Sequence, residues 1–421
     1  MRDRMFVQQR WIFVIYIVLL ATLLGLRDIV GYELSKYAFV ALILGTSVVV
    51  NYQTLISVIT FTLPLLWGLP GNYLLPVWAL LIIYHQYVNG NLDFKALFFS
   101  IFILIWEIVA CAFQPYAFSL MDMIAYISSL MLMGLLVTDK GQTEYGTPVL
   151  AFCLGCCVLL SYIFIMYIQD PTLVYTEGGL RMGGDMYADD GRMVLRTNAN
   201  NIGYISVSAI ACTLALFYYK KIRIVPCIAI VAVAFICGMY SVSRTWAILV
   251  VLTFLVYFIF QKQNRKTGIA LLLLFTAAAV FYFMNNASMI NAFVARFTGD
   301  NIATAGDRFT LFAEYNRFLF THPLNLVFGT GAQLYREAAG ILHSTHNGLQ
   351  QICVAYGIIG LLIFMFAYVY LIRRNYVKGQ VVACLPMIVV FMFIQTIQFL
   401  NPYSAMFPMI IAFMVMKMVK R

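Results

Sequence analysis

Charge is what this 421-residue sequence has least of: Asp, Glu, Lys and Arg make up 10% of it, against 63% hydrophobic residues. Soluble domains carry about 25% charged residues, so most of this chain cannot face water. Histidine is scarcer still, with four copies. The nine cysteines all fall inside apolar runs, where Cys behaves as a small hydrophobe. "CLGCC" at Cys153 to Cys157 looks like a metal pair but lacks a partner cluster, which favours packing over zinc. The net charge of +10 invites a nucleic-acid reading, but the basic residues stand beside the ends of apolar runs and follow membrane topology instead. No nucleic-acid partner is expected.

What is there is a succession of apolar runs with short polar breaks. A spanning helix needs about 20 apolar residues, and roughly 14 such spans fit, which makes the expected fold an all-α polytopic membrane protein, one integral domain over 1–421. The first run, "WIFVIYIVLLATLLGL", follows the basic start "MRDRMFVQQR"; no A-x-A-like cleavage site follows, so it reads as the first span. With both termini cytoplasmic, the inside segments collect "YKKIR", "QKQNRKTG", "RRNYVKG" and the tail "KMVKR", whereas the short outer loops retain Arg27, Lys36 and Arg244.

That layout puts two long loops outside. The first, 169–200, is rich in Gly and Asp turn signals. The second, 285–346, contains "GDRFTLFAEYNRFLFTHPLNLVFGTGAQLY", in which Asp307 is a candidate N-cap for a helix to Thr321 that Pro323 stops. Arg308, Leu311, Phe312, Tyr315 and Leu319 would line one side of it, an amphipathic helix lying along the membrane surface. Loops this long in a compact membrane protein are usually functional.

The polar chemistry gathers in those outer segments. "LHSTHNGLQ", from Leu342 to Gln350, stands directly before an apolar run. If the helix begins by Ser344, with Ser344 or Thr345 as its cap, His343 and His346 share a face and the helix dipole keeps a histidine there neutral. A neutral imidazole can serve as a general base; the alternative is a polar cap with His346 at headgroup level. Arg244 in "SVSRTWAIL" reads either as an interfacial snorkeller or as a phosphate clamp, since a guanidinium fork matches phosphate oxygens. Arg308, at the start of the surface helix, is the better of the remaining arginines; Arg181, Arg192 and Arg196 stand in the first loop among acidic residues. His322 before Pro323 reads as structural. Glu107 and Asp122, acids in or near spans, are the features that favour a transporter. A transporter, however, places its site at the midplane between broken helices, whereas the polar inventory here lies outside.

Three stretches resemble the O-antigen ligase and Wzy-type polymerase superfamily. "STHNGLQQICVAYGIIGLLIF" is similar to its H-(S/T)-x-x-H-N signature, "SVSRTWAIL" to its S-x-S-R-(T/S) span start, and "GDRFTLFAEYNRFLFTHPLNLVFGTG" to its R-x-x-x-(W/F)…P-(L/I)-x-G-x-G loop. They cover roughly the C-terminal 45% of the chain, in the family's order; "NLVFGTG" departs by placing Phe328 before the first Gly. The resemblance implies a GT-C-like fold in a bacterial cytoplasmic membrane and inverting glycosyl transfer on its outer face, with no metal and no cofactor. The donor would be an undecaprenyl-pyrophosphate-linked oligosaccharide in the bilayer, with a chain-length regulator and a flippase as further partners. His346 aligns with the catalytic histidine, Arg244 and Arg308 with the pyrophosphate-binding arginines; His343 and Asn347, with Arg181 and Arg196, would support them. A polymerase is preferred to a ligase acting on lipid A-core because of the low charge and modest loops. A lipid-linked oligosaccharide flippase, or a non-catalytic membrane scaffold, is the reading from another class.

Overall fold

The computed structural model describes residues 2–139, 143–169, 182–183, 193–261, 308–396, 399–400 and 406–420, with scattered positions between 269 and 294. Among these the chain is helical, with no strand. Ten helices form its first part: α1 (Arg2–Gly25), α2 (Lys36–Val49), α3 (Tyr52–Thr62), α4 (Gly71–Val88), α5 (Phe94–Ala112), α6 (Leu120–Thr138), α7 (Gly146–Gln169), α8 (Ala199–Tyr218), α9 (Ile224–Tyr240) and α10 (Arg244–Phe260). The second part holds three short helices, α11 (Arg308–Thr321), α12 (Pro323–Phe328) and α13 (Tyr335–Ala339), then α14 (Gly348–Asn375), α15 (Leu385–Ile394) and α16 (Met406–Lys420).

The polar residues between apolar runs start the helices. Asn51 accepts from the Thr54 amide (2.9 Å), Asp93 from Lys95 (3.0 Å), Asn198 from Asn201 (3.0 Å) and Asn347 from Gln350 (3.0 Å), each satisfying a donor that a helix N-terminus leaves without an intrahelical partner. Ser119 and Ser243 do the same for α6 and α10.

Among the described residues six helices are long and apolar enough to cross a membrane: Gln8–Val30, Phe94–Ala112, Leu120–Thr138, Gly146–Gln169, Ala199–Tyr218 and Gly348–Asn375. Five more apolar helices are shorter than 18 residues, among them Tyr52–Gly68, where α3 tightens into a 3₁₀ turn over Leu63–Gly68 at Pro64. An apolar run read from sequence therefore does not translate into one full-length helix each time. Helix α8 is the centre of the bundle, almost wholly buried, and α7, α9, α10, α15 and α16 pack around it. By contrast α1 and α5 expose most of their apolar surface, as lipid-facing helices do.

Hydrogen bonds sort the helix ends into two sets. At one end, Gln53 of α3 bonds the Glu144 segment, Lys221 pairs with Glu144, and Lys417 of α16 donates to the carbonyls of Leu136 and Asp139. Arg374 of α14 pairs there with Asp93, 3.9 Å away. The other end gathers the starts of α6, α8, α10 and α14 and the last turn of α5, together with α11 to α13. All the candidate site residues among the described positions lie at this second end.

The expected second loop is not structureless. Asn285, Ala287, Ile290, Asn291 and Val294 are helical, past the start at 285 assigned from sequence, and 308–346 folds into the three short helices. Asp307, the expected cap of α11, lies outside the described residues, as do Arg181, Arg192 and most of 169–200. Helix α11 ends at Thr321 as expected, but Pro323 also begins the next helix, at its first position, where its missing N–H costs nothing. Its buried stripe is Tyr315, Phe318 and Leu319; Phe312, expected on that side, is exposed. The stripe packs with Tyr335 and Val354 into a satellite core of its own.

Candidate functional site

The site end is built on a break in α14. Gly357 takes φ 67° and ψ −174°, a conformation open in practice to glycine alone, and the helix is interrupted there. The break frees the carbonyls of Val354 and Ala355, which would otherwise accept from residues four ahead. The loop after α12 takes them up: Thr330 N–H donates to Val354 (3.1 Å) and Gly331 N–H to Ala355 (2.9 Å), while the Thr330 hydroxyl adds a third bond. Glycines at 329 and 331, both with positive φ, let this backbone approach α14 closely. The "FGTG" motif is thus the plug for a broken helix.

Glu107 holds the plug from the other side. Its carboxylate, fully buried, accepts from the amides of Ala332 (2.9 Å) and Gln333 (3.2 Å) and from the Cys111 thiol (3.5 Å). Tyr356 and Tyr126 hydroxyls, 2.8 Å apart, complete the cluster, and Trp106 donates to the Phe328 carbonyl. An acid that reads from sequence as a transport candidate is here a tether between α5 and the loop. Asp122, by contrast, is exposed and accepts from Asn72.

Between this plug and α14 runs the polar stretch 342–347. The expected cap at Ser344 or Thr345 is not what forms: Asn347 is the N-cap and the helix starts at Gly348. His343 and His346 therefore lie in the loop and share no helical face. The reason is local, because the Thr345 hydroxyl donates to the Asn347 carbonyl and accepts the Asn347 amide, which closes a turn before the helix begins. The Tyr315 hydroxyl donates to the His343 carbonyl (2.7 Å), and Gln350 donates to the Phe312 carbonyl (2.8 Å) and Asn316 (3.1 Å), so α11 clamps both sides of the loop. Burial pushes the Tyr335 hydroxyl beneath it up to about 12 and also raises that of Tyr315.

His346 sits in the left-handed region, φ 49°. Its imidazole is held below the ordinary 6.5, first by burial, then by the positive charge of Arg308 and by His343. A neutral ring is the outcome expected from the helix dipole, but desolvation and the arginine produce it. Arg308, at the first turn of α11, is thereby brought within electrostatic reach of His346 from 38 residues away in sequence.

Arg244 reaches the same end by a different route. It opens α10, capped by Ser243; Trp246 donates to Ser206 of α8 (3.0 Å), and Tyr204 of α8 packs on Phe393 of α15 at 4.8 Å between ring centres. Beyond α15, the amides of Phe399 and Leu400 donate to Gln351 in the first turn of α14. The starts of α10 and α14 are thus linked through α8 and α15. Val242 has φ 47° just before the Ser243 cap, as His346 does before the Asn347 cap. Strained non-glycine residues of this kind gather at functional sites and cost about 1–3 kcal/mol each. Arg196 lies before α8 at this end, its Nε buried without a hydrogen-bond partner among the described residues. The residues that sequence reasoning passed over are Tyr315 and Gln350, which look like filler in an apolar stripe and a helix start. Only their partners mark them.

Among the described residues no three of His, Cys, Asp and Glu converge into a set able to hold a metal ion. Compared with protein-family models, curated proteins and solved structures, the chain matches none.

Proposed function

We propose that this chain is a polysaccharide repeat-unit polymerase of the Wzy type, an inverting, metal-independent glycosyltransferase that works at the end of the bundle bearing His346. The observation that carries the reading is a partly buried imidazole, kept neutral, within the electrostatic reach of the Arg308 guanidinium. A neutral base next to a fixed cation suits a reaction in which a hydroxyl loses a proton while an anion departs.

In the proposed step the terminal sugar hydroxyl of one lipid-linked repeat unit attacks the anomeric carbon of the donor glycan. The new C–O bond forms as the bond to the undecaprenyl pyrophosphate breaks. The hydroxyl proton passes to His346, and the pyrophosphate leaves with one more negative charge than it had as a diester. Arg308 and Arg244 meet that extra charge, which makes their contribution larger in the transition state than in the ground state. Asn347 and His343 would orient the acceptor, with Arg196 and Arg181 as further contacts.

The same reading sets the topology: about 14 spans with the site end facing out of the cytoplasmic membrane and both termini inside. Its support is the concentration of Lys220, Lys221, Arg223, Arg373, Arg374, Lys417 and Lys420 at the opposite end of the bundle. A transporter reading loses its main candidate, because both oxygens of Glu107 are already committed to the 332–333 amides.

The test is reconstitution in liposomes with a lipid-pyrophosphate-linked repeat unit. Longer glycans and released lipid pyrophosphate are expected, with full rate in the presence of a chelator. His346→Ala should slow elongation by about 10²–10⁴-fold. Wild-type elongation by that variant would overturn the general-base assignment. Transfer to lipid A-core without elongation would make the chain a ligase, and movement of the lipid without transfer a flippase.

A further inference from the structure

We propose that the groove between α11 and the turn after α13 is a saccharide-binding site, which holds a short oligosaccharide segment of the lipid-linked substrate next to the sugar reacting at His346. This rests on the glycosyl-transfer reading for the identity of the substrate, while the groove's own chemistry points to sugar.

The groove has a volume of about 490 Å³, within the roughly 300–1,000 Å³ of small-molecule sites. One wall carries Glu314, Arg317 and His322; the other is formed by residues 339–343. Leu311, Phe318 and Ile341 supply the apolar surface between them. A sugar ring presents hydroxyls that both donate and accept, together with C–H faces that prefer apolar contact, so its site needs all three features. Glu314 accepts, and Arg317 offers up to five donors in a rigid fork. Three residues apart on one helix, they face the same side.

His322 adds an acceptor for a structural reason. Its Nδ1 lies 2.9 Å from the Phe318 carbonyl, which can only accept, so the ring's proton is on Nδ1 and, in the neutral ring, Nε2 keeps its lone pair. The Thr321 hydroxyl shares its proton between the carbonyls of Arg317 and Phe318 and has His322 Nδ1 3.0 Å from its oxygen, leaving the charged groups and His322 Nε2 as the polar recognition set. An anion such as a phosphate or lipid headgroup fits this wall poorly, because the Glu314 carboxylate stands beside the cations.

Position links the groove to the reaction. The Tyr315 hydroxyl, on the flank of the same helix next to the groove, holds the His343 carbonyl, and His346 follows three residues later. Three residues span at most about 10 Å. A sugar neighbouring the one that reacts at His346 therefore lies within reach of this groove.

The experiment uses the full chain in liposomes or nanodiscs, the lipid-pyrophosphate-linked repeat unit from the source cells, and the soluble oligosaccharide released from it by mild acid. Arg317→Ala and Glu314→Gln are the variants; both residues are exposed, so folding is not at stake. Each should raise the KM for the repeat unit about ten-fold while kcat stays within about two-fold, the size of one lost charged hydrogen bond. Saturation-transfer NMR from wild-type protein to the soluble oligosaccharide should be lost in both. Unchanged KM and unchanged saturation transfer overturn the groove while leaving the polymerase reading intact. If wild-type protein does not elongate at all, the polymerase reading fails separately and the NMR arm decides: oligosaccharide contact abolished by Arg317→Ala keeps the saccharide site, and no contact with wild type removes it.

Discussion

Glu107→Gln separates a structural carboxylate from a transporting one. Glutamine has the shape of glutamate but replaces one acceptor oxygen with an NH₂ donor. In wild type the two oxygens serve two amides, Oε2 for Ala332 and Oε1 for Gln333, with the Cys111 thiol as a third donor. In the variant one amide must face an NH₂ group, so a buried N–H loses its acceptor and the other bond loses its charge. A charge-assisted bond is worth about 1.5–3 kcal/mol and an orphaned buried donor costs about 1–3 kcal/mol; since these overlap, a destabilisation of about 2–4 kcal/mol is expected. Glu107→Leu removes both bonds but also the desolvation cost of the carboxylate, so it should be worse than Gln by less than a factor of two. Thermal unfolding of purified protein in detergent, run beside the elongation assay, reads both effects. Unfolding midpoints should fall in the order wild type, Gln, Leu, and activity should follow the midpoint, recovering when the assay is cooled. Were the Gln variant to abolish function while unfolding at the wild-type temperature, the tether account would be refuted and a proton-carrying role restored.

Other predictions address the remaining parts. Arg308→Gln takes a positive charge away from His346, so the imidazolium becomes easier to form and the acid limb of the kcat/KM profile, which wild type should show below pH 6.5, moves upward; a limb that stays put would show that Arg308 does not act on His346. The same variant should lower kcat by about 10²–10³-fold through loss of one anion contact. Gly357→Ala forces a non-glycine residue into φ 67° and drives its Cβ into the Val327 carbonyl, so a loss of about 3 kcal/mol or more is expected in thermal unfolding, against a neutral or slightly stabilising Gly45→Ala within α2, where nothing lies near the added methyl. Asp185→Cys, in the first long loop and outside the described residues, should react with an impermeant thiol reagent in intact cells over a low background, since the described native cysteines are buried or half-buried. Silence there would overturn the outward placement.

Much of the fold was legible because its causes are local. Scarce charge and recurring apolar runs require membrane helices, and a cap such as Asn51 or Asn198 acts on an amide three residues away. The amphipathic helix from Arg308 to Thr321 was readable for the same reason. Legibility failed where a local rule had more than one answer. Ser344, Thr345 and Asn347 are all acceptable caps, and the choice of Asn347 depends on a turn closed by Thr345 and on α11 gripping Gln350.

The sequence by itself determined that this is a helical membrane chain, with Arg244, Arg308, His343 and His346 close to the starts of helices. Only the tertiary structure decided that Glu107 is a tether, since its partners lie 225 and 226 residues away. It also decided that His346 is kept neutral, through burial and an arginine on another helix. Desolvation and long-range hydrogen bonds depend on what the rest of the chain brings alongside a residue, and nothing in that residue's own neighbourhood in sequence records them.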